Sequence, residues 1–481
     1  MKSIKILFLG LAILAGQIGC KKFIEVDAPV TSVNAGNIYN DNSTAISVVT
    51  GVMAKANSNF SASGVTQISI LTDLSADNLT LFNPAVDLYT QTYRNALTST
   101  IFPSNSFWRS LYSNIYTCNA ALEGLSRSKT LTDAIKKRLL GEVYFFRAFH
   151  YFYLVNLYGD APLIVSTNHE ISNITPRNSV AKVYEQIIAD LNQAKDLLDE
   201  RYLAGDLITS SNDRVRPNRS AVYALLARVE LYRKNYAAAE AAATNVLSQS
   251  TLYSTANVSL DKVFLKNSLE TIWALMPVRN GFSTEEGNLL ILPAKGPDNN
   301  TRRLYASEQL IKSFDASDQR KTVWISSVTS NGKEYPFVRK YRAIQAATGT
   351  TPVEYPIVLR LAEQYLIRAE ARAQQNQLSI AIQDVDIVRK RAGLVPIAEI
   401  NPGIGKDDLI NLIFKERRAE LFTEWGHRWF DLRRSGQIDA VMTDVTQKKG
   451  GTWASFQALY PIPSGELLLS NILTQNPGYN P

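Results

Sequence analysis

The chain has 481 residues, 45% of them hydrophobic and 20% charged, enough apolar material for a large buried core in one domain or a few. Its formal net charge of +7 is spread without a polybasic block, and with no recognisable nucleic-acid module this excludes binding through a basic stripe. Two cysteines, Cys20 and Cys118, exclude a scaffold built on several disulfides.

The chain opens as an export signal. Lys2 and Lys5 make a basic start, and Ile6 to Ala15 is an apolar run broken by Gly10. That run is too short to cross a bilayer core of about 30 Å, so it predicts a signal peptide and not a membrane-spanning helix. Cys20 follows the small residue Gly19, the arrangement of a lipoprotein cleavage site, although Gln17 stands where such sites carry an aliphatic residue. A lipidated Cys20 would carry several acyl chains, and about 0.8 kcal/mol per buried methylene makes that attachment lasting. Cys118 is then left without a partner thiol and reads as a small buried hydrophobe on a helix.

After a Pro- and Gly-containing tether to residue 38, helical spacing dominates. Thr44 to Ala56 and Ser106 to Leu125 carry apolar residues at three- and four-residue steps, with Trp108, Leu111, Tyr112, Ile115 and Tyr116 on one face. A long helix is predicted from Thr132 to Leu157, stopped by Gly159-Asp160-Ala161-Pro162, and another from Val180 to Glu200 behind Ser179. In Ser220 to Leu247, Tyr223, Ala227, Ala239 and Val246 fall at steps of four, twelve and seven; Tyr365, Ala369, Ala381 and Val388 repeat those steps in Leu361 to Val388. Small residues facing each other across a tight turn are how tetratricopeptide hairpins bring two helices close. Glu230 and Arg372 stand where that repeat has an aromatic, so ordinary helix pairs remain the alternative; both give an all-α hairpin scaffold. Residues 251–356 differ, with short alternating runs such as Thr271 to Leu275 and Tyr335 to Val338 among many Gly and Pro, and predict irregular loops with a few strands. A last long helix, Lys406 to Glu424, precedes a loop-rich C-terminus.

Five further stretches stand out: Cys20 to Asp27 (CKKFIEVD), Arg147 to Ile164 (RAFHYFYLVNLYGDAPLI), Glu416 to Arg434 (ERRAELFTEWGHRWFDLRR), Leu459 to Ile462 (LYPI) and Gln475 to Tyr479 (QNPGY). Together they resemble the SusD/RagB nutrient-binding lipoproteins of Bacteroidetes. The resemblance runs almost end to end in consistent order. It implies an all-α fold of tetratricopeptide-like hairpins, a SusD-like α-α superhelix, carrying a loop-rich insert. It also implies a lipoprotein on the outer face of the outer membrane. Such a protein captures oligosaccharide, or peptide in some branches, for a SusC-like TonB-dependent transporter. On this reading 1–19 is the signal peptide and 20–38 the lipidated tether. The N-terminal helical part covers 39–250, the variable candidate ligand surface 251–356, and the RagB/SusD C-terminal part 357–481.

The residues themselves offer little catalytic chemistry. Glu416, Glu420 and Glu424 share one helix face, but Arg417, Arg418, Arg428, Arg433 and Arg434 crowd the same stretch. Arginines hold carboxyls ionised, which opposes a glycosidase general acid, so an ion-paired network is expected and not an enzyme. His150, His169 and His427 lack metal-ligand spacing, and no cofactor fingerprint is present. Asp315 and Asp318 lack the spacing of a calcium loop and read as solvated charges. Sugar binding instead needs exposed rings for the C–H faces of pyranoses, with amides and arginines for hydroxyls. Two segments carry that mixture. One is Asp73 to Arg94, with Asp77, Asn78, Phe82, Asn83, Tyr89 and Tyr93; the other is Trp273 to Tyr341, with Phe282, Asn288, Asn299, Asn300, Arg302, Tyr305, Trp324, Tyr335 and Tyr341. Phe82, Tyr89, Phe282 and Trp324 are the preferred ligand-contact candidates. A peptide binder, a surface glycoside hydrolase and a purely structural transporter subunit are the competing readings.

Overall fold

Apolar spacing decides most of the architecture. The computed structural model describes residues 38–57, 65–85, 87–100, 107–278, 281–344 and 352–480; the signal peptide, Cys20 and the tether before residue 38 lie outside them. The N-terminal part begins with α1 (Asn42–Asn57), α2 (Ile68–Ser75), the short strand β1 (Leu79–Leu81) and α3 (Leu88–Tyr93). Helices α4 (Phe107–Arg127) and α5 (Asp133–Tyr158) then pack together. From Phe145 to Tyr158 every residue of α5 is buried, as a largely apolar helix is, with Arg147 accommodated by its ion pair to Asp190. Gly141 lets α5 approach the following helix, since a Cβ there would meet Leu198 Cδ2 at 2.7 Å. On α4, Trp108, Leu111 and Ile115 are buried, but Tyr116 is 57% exposed, so the expected five-residue face stops one turn short. Cys118 is fully buried, which pushes its thiol up to about 12.

Strands β2 (Ala161–Pro162) and β3 (Arg177–Asn178) clip the chain after Gly159, which ends α5 at a φ of 73°. Helix α6 (Val180–Leu197) is capped by Ser179, whose side chain accepts from the Lys182 N–H, and packs on α5. The first hairpin follows as α7 (Arg219–Tyr232) and α8 (Tyr236–Leu247).

The described part of residues 251–356 holds more regular structure than expected. They contain β4 (Thr271–Ala274), α9 (Glu285–Leu290), β5 (Leu304–Ala306), α10 (Glu308–Ser313), α11 (Gln319–Trp324), β6 (Ile325–Ser330) and β7 (Lys333–Val338). The three helices are single turns or little more, too short for periodicity to reveal. Each is started by a side-chain cap: Thr284 for α9, Ser307 for α10, Asp318 for α11. The β6–β7 hairpin turns on Asn331-Gly332, both at positive φ. Beyond the insert come β8 (Ile357–Arg360), antiparallel to β4, and the second hairpin α12 (Leu361–Gln374) and α13 (Leu378–Arg391).

The two hairpins match in detail. Ala227, Ala239, Ala369 and Ala381 are all fully buried, and the turns place Lys234 and Asn376 at φ 61° and 62° in equivalent positions. Helix α8 packs on α12, so the hairpins stack into one helical frame. Helices α14 (Lys406–Leu421) and α15 (His427–Arg434) close that frame from the C-terminal side, with α14 against α12. A second apolar core forms where the insert meets α2 and the end of α14; Phe264, Leu310, Trp324 and Tyr341 pack there with Ile70, Leu74 and Phe422. The fold is all-α hairpins with a partly ordered insert.

Candidate ligand-binding surface

The two segments singled out in the sequence meet through one antiparallel pairing. Strand β1 pairs with β5 in the register Leu79↔Ala306, Thr80↔Tyr305 and Leu81↔Leu304, and the Phe82 N–H donates to the Arg303 carbonyl at 2.7 Å. This brings half-buried Phe82 and half-buried Tyr305 onto either side of Tyr335, whose ring meets theirs edge-on at 5.9 and 5.3 Å. Beside them Asn83 Nδ2 donates to Asn299 Oδ1 at 2.9 Å, both residues exposed. The surface therefore offers partly exposed rings bordered by side-chain amides.

Tyr89 extends the same region. The Arg303 guanidinium lies 5.5 Å from its ring centre and forms an ion pair with Asp87, whose side chain caps α3 by accepting from the Thr90 N–H. Burial, aided by the charge of Glu285, pushes the Tyr89 phenol up to about 12. Tyr89 is thus a hydrogen-bonding hydroxyl at any physiological pH. Phe282 is half-buried in the loop leading to α9, three residues before Glu285. Glu285 accepts from Gln67 Nε2 at 3.4 Å, which ties that loop to the segment preceding α2.

Trp324 does not belong to this surface. It is 1% exposed, donates from Nε1 to the Leu260 carbonyl at 2.8 Å, and packs against Phe264 and Phe422 in the second core. Its place at the end of α11 explains this, because an amphipathic turn turns its largest residue inward. Tyr305, half-buried, takes its place on the candidate surface, backed by the buried ring of Tyr335. They stand in the second candidate segment, yet only the long-range β1–β5 pairing distinguishes them from the other aromatics there.

The carboxylates are accounted for by ion pairs, though with different arginines from those expected. Glu416 pairs with Arg320 and Arg389, Glu420 with Arg320, Arg360 and Arg391, and Glu424 with Arg360 and Lys340. The neighbouring arginines turn elsewhere: Arg417 to Asp431, Arg418 and Arg428 to Asp77, Arg434 to Glu370 and Asp431. The expectation for Asp318 is also corrected, since it is 3% exposed and bound to Arg320 instead of solvated, while Asp315 pairs with Lys415. Although burial raises Glu420 and Glu424, their cationic neighbours outweigh it and hold both below the usual carboxylate range. Asp73 and Glu286 are pushed up to about 6 and about 7 by burial, but both are sealed in the interior and reach no surface substrate. His150 and His427 are buried, and burial holds both below the usual imidazole range; no group of three or more His, Cys, Asp or Glu that could hold a metal occurs among the described residues.

Two grooves of about 490 Å³ share no lining residue with the aromatic surface. One is lined by Trp108, Tyr112, Tyr116 and Leu469, the other by Tyr236, Gln374, Asn411 and Phe414. Volume alone does not assign a saccharide to either, since pyranoses stack on shallow ring faces. No described helix is long and apolar enough to cross a membrane.

Comparison with known proteins supplies the family. Residues 32–231 match a SusD-like profile described as starch-binding and associating with the outer membrane, and residues 319–479 match the SusD family profile. SusD-like protein P2 of Formosa agariphila is 28% identical over 431 residues, covering 78% of this chain and 80% of that one. A SusD superfamily protein of Bacteroides vulgatus superposes with a TM-score of 0.79 at 20% identity, over 92% of this chain and all of its own. A laminarin-binding SusD-like protein superposes with a TM-score of 0.73 at 23% identity, over 91% of this chain and 99% of that one. Hairpin frame, ordered insert and matched segments agree in order along the sequence, and the chain belongs to the SusD family.

Proposed function

We propose that the chain captures an oligosaccharide at the cell surface and delivers it to a SusC-like TonB-dependent transporter of the outer membrane, without cleaving it. Acyl chains on Cys20 hold it there, facing the cell exterior. The observation that carries the reading is the β1–β5 junction, which sets Phe82 and Tyr305 around Tyr335 with Asn83 and Asn299 alongside. Rings for C–H faces and amides for hydroxyls are what a saccharide requires. Tyr89 and Phe282 extend the contact surface to either side. The similarity to a laminarin-binding SusD-like protein supports a carbohydrate over a peptide. The engagement of Glu416, Glu420 and Glu424 in buried ion pairs argues against a hydrolase acting through them.

Calorimetry on the full-length chain against laminarihexaose, maltohexaose, β-1,4-mannohexaose and a peptide panel tests this. Saccharide binding that weakens about tenfold, roughly 1.4 kcal/mol, in Phe82→Ala and in Tyr305→Ala is the expected result. Heat from peptides alone would turn the assignment to a peptide binder, and shortened saccharides after incubation would restore the hydrolase. Co-purification of a large β-barrel partner from native membranes tests the delivery step.

A further inference from the structure

Which saccharide fits is decided by the charges bordering Phe82 and Tyr305. Alternation along β7 sends Lys333, Tyr335 and Phe337 to one face and Glu334 to the other. Tyr335 and Phe337 pack with Phe82 and Tyr305, whereas Val338, on the face of Glu334, enters the second core. The exposed Lys333 ammonium therefore stands on the side of the rings, 5.1 Å from the centre of Tyr335 and 5.9 Å from that of Tyr305. Among the described residues no carboxylate lies within 4.0 Å of it.

Arg302 provides a second cation. It closes the turn that carries Asn299, its carbonyl accepting from the Asp298 N–H at 2.9 Å. Its half-buried guanidinium reaches the Gly287 carbonyl at 3.4 Å and, among the described residues, has no carboxylate within 4.0 Å either. Most of its five donors are thus uncommitted. The nearby acids are occupied otherwise. Asp87 pairs with Arg303, the Asp298 carboxylate accepts from the N–H groups of Asn300 and Arg302 at 2.7 and 3.0 Å, and Glu285 accepts from Gln67. Lys333 over the rings and Arg302 on the adjoining turn are thus two cations that no described carboxylate meets within 4.0 Å, although Asp298 acts on Arg302 from further away.

We infer that the saccharide taken at this surface bears an anionic substituent, a carboxylate or a sulfate ester, which Lys333 and Arg302 hold while its rings lie on Phe82 and Tyr305. The inference rests on the saccharide-binding reading and narrows it. Carboxylate and sulfate suit a planar guanidinium and an ammonium alike, through charge-assisted hydrogen bonds that a neutral hydroxyl cannot match.

Matched hexamers separate this from binding of any sugar. The full-length chain is titrated, at about 0.15 M salt to screen diffuse attraction, with three pairs. They are β-1,4-mannose against β-1,4-mannuronate, α-1,4-galactose against α-1,4-galacturonate, and laminarihexaose against its 6-O-sulfated form. The expected result is that in at least one pair the anionic member binds about tenfold tighter. That preference should vanish in Lys333→Gln/Arg302→Gln and persist in Lys182→Gln, an exposed lysine of α6. A uronate preference without a sulfate preference assigns a carboxylate, and the reverse assigns a sulfate ester. Neutral members binding as tightly as anionic ones in every pair would overturn the inference. So would a preference that survives the double variant, or no binding by any of the six. Neutral hexamers bound by wild type as tightly as the anionic ones, and lost in Phe82→Ala, would leave the saccharide site standing while the anionic one falls.

Discussion

Glu286 is a carboxyl that burial makes harder to ionise. It is buried in the first turn of α9, and burial lifts it from 4.5 to about 7. Asp73, lifted to about 6, acts in the same direction. A folded-state pKa above the unfolded one means that the native chain binds more protons between the two values, so stability falls as pH rises through that window. For Glu286 the window runs from about 4.5 to about 7. Glu286→Gln should flatten this slope, leaving the variant roughly 3 kcal/mol less penalised at pH 8 than wild type, relative to pH 4. Urea unfolding at both pH values measures it, and an unchanged slope would remove Glu286 as its source. Trp324 gives a second prediction at this scale. Trp324→Ala opens a cavity in the second core and should cost about 3–5 kcal/mol. Under folding conditions it should leave saccharide affinity near wild type, because the buried ring has no face on the proposed ligand surface.

Among elements, the tie between β1 and the C-terminal helices is the most exposed to a single change. Asp77, two residues before β1, accepts from Arg428 on α15 at 2.7 and 2.9 Å and pairs with Arg418 on α14 at 3.0 Å. Burial alone would raise Asp77, but the two arginines outweigh it and hold its carboxyl well below the usual range. The stabilisation is therefore full above the unfolded carboxylate pKa near 3.8 and is lost as pH falls towards the folded one. Asp77→Asn leaves two arginines without their acid, and a cost of about 3–5 kcal/mol in denaturant unfolding is expected. A cost below about 1 kcal/mol would mean that water compensates the arginines. This tie was not legible in the sequence, where Arg418 and Arg428 read as partners for the glutamates beside them. The hairpins were legible because their signal is local: a small residue, a tight turn and a second small residue twelve positions on. The capped helices of the insert were missed because they complete too few turns to show a period. Phe82, Tyr89 and Phe282 could be named from composition and loop placement. Their company could not, since β1 is a three-residue strand whose partner lies far along the chain.

Among the described residues, stability comes from several apolar cores, with Cys118 alone and buried as the described cysteine. Reductant should therefore leave the melting temperature of the full chain unchanged within about 1 °C, a shift of ΔΔG too small to reflect a structural disulfide. Membrane attachment is expected to depend on Cys20 alone. A fatty-acid analogue should label wild type and not Cys20→Ala, and the variant should leave the membrane pellet; labelling retained by the variant would refute the anchor.

The Asn83–Asn299 contact joins positions 216 residues apart. A ligand lying across it therefore acts as a staple between distant parts of one chain. Its binding energy is felt by cooperative unfolding of the frame as a whole, beyond any stiffening of a loop. At a hundredfold excess over Kd this adds about 2.7 kcal/mol to the stability of the entire fold. On the proposed function, a cargo-laden protein would then be the hardier one to heat and protease, and release to the transporter would return it to its softer state.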